Sequence, residues 1–198
     1  IYGWPIKDLS RKVNHMYMYR KDIFDKHSLS VWKAGDTEGF YQILKTLKEL
    51  YPNSVPMSSK LGNSFWQYQQ AGWGIYGGVA GMTYSKDTGE WRYSRTTPEF
   101  KDMLDFFKRL YKEGLLDPEF MTNTSNAWIA KMAAPETTFV AFDWISRLDL
   151  FKIQVKDELP DYELSPGPPI GPTGKTYQLS DLDWFGPVVS STTPNNME

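Results

Sequence analysis

Cysteine is absent from this 198-residue chain, which excludes disulfides and thiolate metal sites. The compartment stays open, because exported bacterial proteins often contain none. Histidine is scarce as well. His15 and His27 stand alone at no metal-ligand spacing, so neither a metal nor a cofactor is expected. No apolar run approaches the roughly 18–20 residues that a membrane span needs. The opening residues, IYGWPI, carry no secretory leader pattern. Neither sign of charge dominates: the formal net charge is −2, with acids and bases interleaved, leaving no footprint for nucleic acid or an anionic membrane.

What the chain has in excess is rings. Eight Trp, 12 Tyr and 11 Phe make up 16% of it. A chain of this length buries one good core, and such a core does not need eight tryptophans. Some are therefore expected in a groove, where flat rings stack on a ligand.

The order of elements reads α/β. Met16–Tyr19 is a short apolar run expected to be a buried strand, followed by a helical turn at Ile23–Lys26 and a loop at Val31–Gly35. Asp36 or Thr37 caps a helix to about Tyr51, with Phe40, Leu44, Leu47 and Tyr51 on one face. An amide-rich helix is expected from Asn63 to Gln70. A hairpin turning at Lys86–Gly89 comes next. Residues 96–120, TTPEFKDMLDFFKRLYKEGLLDPEF, give the clearest helix: a threonine cap, Pro98 in the first turn, an apolar stripe from Phe100 to Tyr111, and Gly114 as a left-handed stop. Asn126–Ala133 reads as another helix. Thr138–Phe142 reads as a strand, with Asp143-Trp144 opening a helix to about Phe151. A Pro/Gly loop at 166–174 and a strand at Phe185–Ser190 complete the pattern.

Residues 97–120 closely resemble a segment of bacterial extracellular solute-binding proteins of ABC importers, in the oligosaccharide-binding branch. The likeness extends over nearly the whole chain. YGWPI at 2–6 and MYMYRKDIFDKHSL at 16–29 are similar to the passage where such proteins cross from one lobe to the other. Residues 36–51 match a family helix without the proline that usually precedes it. Thr138–Trp144 is similar to a strand-then-Trp element of maltose-binding-type proteins, and FGPVVSSTTPNNME at 185–198 resembles the return crossing. The resemblance implies one lobe of a type II periplasmic-binding-protein-like fold, with a mixed sheet flanked by helices. Residues 1–198 would be the second lobe of a two-lobe receptor, with 1–14 and 184–198 as inter-lobe crossings. Relatives are about twice this length, so the chain is expected to be a fragment.

Two glycine-rich stretches imitate nucleotide motifs. Gly72–Gly77 satisfies G-x-G-x-x-G, but polar WQYQQA precedes it and more glycine follows, not the strand and helix that a dinucleotide site needs. Gly171–Thr176 imitates the end of a P-loop, yet Pro168, Pro169 and Pro172 remove the N–H groups that would cradle phosphate. No G-x-S-x-G elbow is present.

The candidate site combines aromatic with polar residues at element ends. Trp144 follows the buried-looking run and is placed at the rim of the sheet, where its indole can stack on a pyranose. Asp143 beside it can accept from sugar hydroxyls, helped by free N–H groups at the expected helix start. Phe65 and Trp66, with Asn63 before them, match the region where sugar-binding relatives carry a second aromatic platform. Trp184 is expected to line the hinge cleft. Arg147, one turn after Trp144, can reach a hydroxyl or carboxylate, although a surface arginine is the plainer expectation. Asn14 lies near the presumed hinge. Trp73 and Trp91 are read as structural.

The implied function is the substrate-binding component of an ABC transporter that captures an extracellular oligosaccharide and delivers it to permease subunits. Catalytic residues are not expected. Membrane contact would be only through a lipid anchor, on the cell surface or in the periplasm. Two other readings remain: a same-fold receptor for a peptide or other small solute, and a fragment of a carbohydrate-processing enzyme. The latter needs two facing carboxylates, and Asp143 has no obvious partner.

Overall fold

A computed structural model describes residues 2–3, 15–62, 64–75, 81–85, 88–175 and 188–189. In chain order the strands and helices are β1 (Tyr2–Gly3), β2 (His15–Arg20), α1 (Lys21–Lys26), α2 (Thr37–Leu50), β3 (Met57–Ser58), α3 (Ser64–Gln69), β4 (Met82–Ser85), β5 (Glu90–Tyr93), α4 (Pro98–Lys112), α5 (Ser125–Ala133), β6 (Val140–Trp144), α6 (Arg147–Val155), β7 (Leu164–Gly167) and β8 (Val188–Val189). Four strands form the central sheet in the order β3-β6-β2-β7. β3 runs parallel to β6, whereas β2 is antiparallel to both of its neighbours. β4 and β5 make a separate hairpin, and β1 pairs antiparallel with β8.

Alternation along the strands makes the sheet apolar on both faces, and helices cover both. Tyr17 and Phe142, opposite each other in register, join one core with Phe40 and Leu44 of α2 and Phe107 and Leu110 of α4. Met18 and Ala141, the next pair, point to the other face. There they meet Trp128 and Met132 of α5 and Phe151 and Val155 of α6. This is the mixed α/β sheet flanked by helices that the sequence implies.

Local chemistry fixes the helix ends. The Asp36 carboxylate accepts from the Gly39 N–H at 2.7 Å, and the Thr97 hydroxyl accepts from the Phe100 N–H at 3.3 Å, with Pro98 following at the first helical position. Gly114 adopts φ +67°, which lets the Leu115 N–H return to the Leu110 carbonyl at 2.9 Å and close α4. A Cβ at Gly114 would meet no atom within 4 Å, so the cost of adding one is purely conformational. Gly114→Ala is expected to destabilise by about 1 kcal/mol, read as a lower urea midpoint at unchanged slope.

Two expected elements differ. The strand at 138–142 begins later and runs through Trp144, because His15 and Met16 of β2 pair with Trp144 and Asp143. The helix therefore starts at Arg147, three residues beyond Trp144, and Asp143 belongs to the strand. Residues 164–167, expected in part as loop, form edge strand β7 against β2. Pro166 is tolerable there, since an edge strand leaves one side of its backbone unpaired.

The two nucleotide-like glycine stretches pack on each other. Gly72 and Gly171 are in backbone contact, and a Cβ on either would collide with the other segment. The Thr173 N–H and hydroxyl both donate to the Gly72 carbonyl, at 3.0 and 2.9 Å. These glycines serve close approach of chain to chain. Trp73 is buried as expected, but Trp91 is 64% exposed on the β4–β5 hairpin, tilted against Tyr84.

Candidate functional site

Three neighbouring strands deliver polar side chains to one edge of the sheet. β6 ends on Asp143 and Trp144, β2 begins on His15 directly opposite Trp144, and Lys60 follows two residues after β3. Because β3 and β6 are parallel, this is the edge at their carboxyl ends, where ligands of open α/β sheets bind. The next helix, α3, brings Tyr68 over His15, with ring centroids 4.1 Å apart and 26° between planes.

Asp143 is the centre of the cluster. It is fully buried; its Oδ1 accepts from the Trp144 N–H at 2.6 Å, and its Oδ2 lies 3.0 Å from Lys60 Nζ and 3.9 Å from Arg147 Nε. Neither ion pair is aligned as a hydrogen bond, so Oδ2 and Arg147 Nε are buried polar atoms without a hydrogen-bond partner. His15 Nδ1 and the indole N–H of Trp128 share that condition. Lys60 Nζ lies 5.4 Å from the centroid of the Trp128 ring and 5.9 Å from that of Trp144, and the Arg147 guanidinium is 5.7 Å from that of Trp128. Trp144 itself is 48% exposed.

Burial dominates the electrostatics of His15, lowering its pKa from 6.5 to about 4; Asp143 pulls it back up and Lys60 pushes it further down. Tyr68 is raised, first by burial and then by the Asp143 charge. The histidine carries a testable sign. Between pH 6.5 and about 4 the unfolded chain binds a proton at this residue and the folded chain does not, so stability falls as pH is lowered through that window. The full loss is roughly 3 kcal/mol, at about 1.4 kcal/mol per pKa unit. Urea unfolding from pH 7 to 4 checks it: His15→Gln is expected to flatten the slope, and an unchanged slope would reject His15 as its source.

Sequence-expected residues fall into three groups. Asp143, Trp144 and Arg147 are brought together, but Arg147 corrects the surface expectation: its side chain is 15% exposed and turns inward to Asp143 and Trp128. Phe65 is corrected too. It is fully buried, with its ring 5.0 Å from that of Phe107 and 5.3 Å from that of Phe120, and it has no face to offer a ligand. Trp66 is half-buried and packs edge-on against Phe65, Phe107 and Phe120. At about 100° per helical residue, positions 66 and 68 lie on opposite sides of α3, so it is Tyr68 that faces the Asp143 cluster. Asn63, Trp184 and Asn14 lie outside the described residues.

His15, Lys60, Tyr68 and Trp128 were not legible as site residues. A lone histidine heading an aromatic strand was the available signal, since residues 15, 17 and 19 share a face. Lys60, after a two-residue strand, gave none. Among the described residues, no group of three or more His, Cys, Asp or Glu could hold a metal ion, and no helix is long and apolar enough to cross a membrane.

Comparison with solved structures identifies the architecture. The chain aligns with the alginate-binding protein AlgQ2 at TM-score 0.71 and 22% identity, covering 90% of this chain and 37% of that one. It aligns with the S. pneumoniae ABC-transporter substrate-binding protein FusA in complex with kestose at TM-score 0.66 and 22% identity, covering 88% and 36%. An HMO-binding, ABC-transporter-associated solute-binding protein from Bifidobacterium longum infantis gives 0.66 at 20%, covering 86% and 37%. The chain has the fold of ABC-transporter solute-binding proteins. In sequence it is similar to lipoprotein LipO of Bacillus subtilis, 34% identical over 102 residues, which is 46% of this chain and 19% of LipO. No family model matches. The chain thus spans little more than a third of the solute-binding proteins it aligns with and a fifth of LipO.

Proposed function

We propose that this chain is the second lobe of a non-enzymatic receptor that captures an oligosaccharide outside the cell and hands it to an ABC permease. The observation that carries the reading is the half-exposed Trp144 beside His15, Lys60 and Asp143 at the carboxyl ends of β3 and β6. A pyranose presents an apolar C–H face to an indole and hydroxyls, both donors and acceptors, around its rim. Lys60, 5.9 Å from the Trp144 ring and held by Asp143 at 3.0 Å, supplies a donor to such a rim. Structural neighbours bound to kestose and to Man5GlcNAc support the ligand class, and similarity to a lipoprotein supports anchoring at the cell surface. The antiparallel pairing of β1 with β8 supports reading 1–14 and 184–198 as adjacent crossings, about which a second lobe closes on ligand.

Titrating the full gene product with glycan fragments, followed by tryptophan fluorescence and by chromatography of the glycan, tests this. Saturable binding with the glycan recovered intact is expected. Binding of a peptide but no sugar would replace the ligand class, and recovery of cleaved glycan would replace the receptor by an enzyme.

A further inference from the structure

The Asp143 cluster is not neutral. Two basic side chains, Lys60 and Arg147, converge on one carboxylate and are only 12% and 15% exposed. Among the described residues, Asp143 is the sole carboxylate within ion-pair distance of either. One of its oxygens is already engaged by the Trp144 N–H. His15 adds no charge at neutral pH, and the Trp128 and Trp144 rings offset the cations only weakly by cation–π attraction. A buried site that keeps an excess of one positive charge is costly unless a bound anion completes it.

Building on the receptor reading, we infer that the site takes an acidic sugar, with the ring of a hexuronic acid on Trp144 and its carboxylate set against Lys60 and Arg147. Arg147, whose Nε faces Asp143 while its side chain keeps 15% exposure, supplies a guanidinium charge, and Lys60, 5.9 Å from the Trp144 ring, supplies a mobile point charge. Asp143 then acts as the positioning residue that holds both cations at the same sheet edge. A neutral hexose would satisfy the indole but leave the extra charge uncompensated.

The test is a titration of the full gene product with oligogalacturonides and with their methyl esters, which keep the sugar and remove the charge, alongside neutral oligosaccharides. At low salt the acid is expected to bind about tenfold tighter than its ester, and the gap should narrow as salt screens the carboxylate. Lys60→Met and Arg147→Gln should each collapse the acid-to-ester ratio toward unity. The wild-type comparison stands even if either variant folds poorly. Equal affinity for acid and ester, or binding of neutral glycans alone, would overturn the acidic-sugar inference and leave the receptor reading intact. Failure of every sugar would overturn both.

Discussion

Asp143→Ala is expected to lower folding stability by about 3–5 kcal/mol, because it strands two largely buried cations that now share one carboxylate. Lys60 and Arg147 would have to find water or accept burial unpaired, and the Trp144 N–H would lose its acceptor at the end of β6. Asp143→Asn should be milder. Its amide oxygen can still take the Trp144 N–H, so only the charge is lost. Sugar affinity should fall in both variants, since the cations that flank the ligand are no longer held. Urea unfolding at pH 7 with parallel fluorescence titration separates the two effects. A change of under about 1 kcal/mol for Asp143→Ala would mean that the triad is solvated, and the buried-charge account of the site would be abandoned.

What could be read directly from the sequence was what adjacent residues decide. The bounds of α2 and α4 follow from a cap, an apolar stripe and a stop within one segment, with a first-turn proline as well in α4. The strand-then-Trp element at 138–144 was visible for the same reason. Its end was not, because Trp144 is held in the strand by His15, a partner far away in sequence. Likewise the LSPG run at 164–167 is a strand only because β2 lies beside it. Side-chain direction failed where one helical turn decides between core and cleft. Phe65, Trp66 and Tyr68 are equally aromatic, yet α3 is rotated so that Phe65 joins the core and Tyr68 covers His15. Composition predicts more tryptophans than one core needs, and Trp91 and Trp144 are exposed; Asp143 and Arg147 stand near Trp144 in sequence, and only topology brings Lys60 to them.

Trp144→Ala is expected to separate recognition from folding. The side chain is 48% exposed and its removal opens no cavity in the core, so stability should move by less than about 0.5 kcal/mol. Affinity for sugar should fall by about 2 kcal/mol, roughly thirtyfold, the scale on which an aromatic anchor at the centre of a binding surface acts. Trp144→Phe should recover part of it, since a smaller ring keeps a face for the pyranose. Trp66→Ala supplies the opposite pattern. Its indole packs on Phe65, Phe107 and Phe120, so that substitution should cost about 2 kcal/mol of stability and leave sugar affinity close to wild type. Calorimetric titration and thermal melts of the two variants, made in the full gene product, give the four numbers required. If Trp66→Ala weakens sugar binding while Trp144→Ala does not, the ligand lies along the α3–α4 side of the chain, and the carboxyl ends of β3 and β6 lose their claim to it.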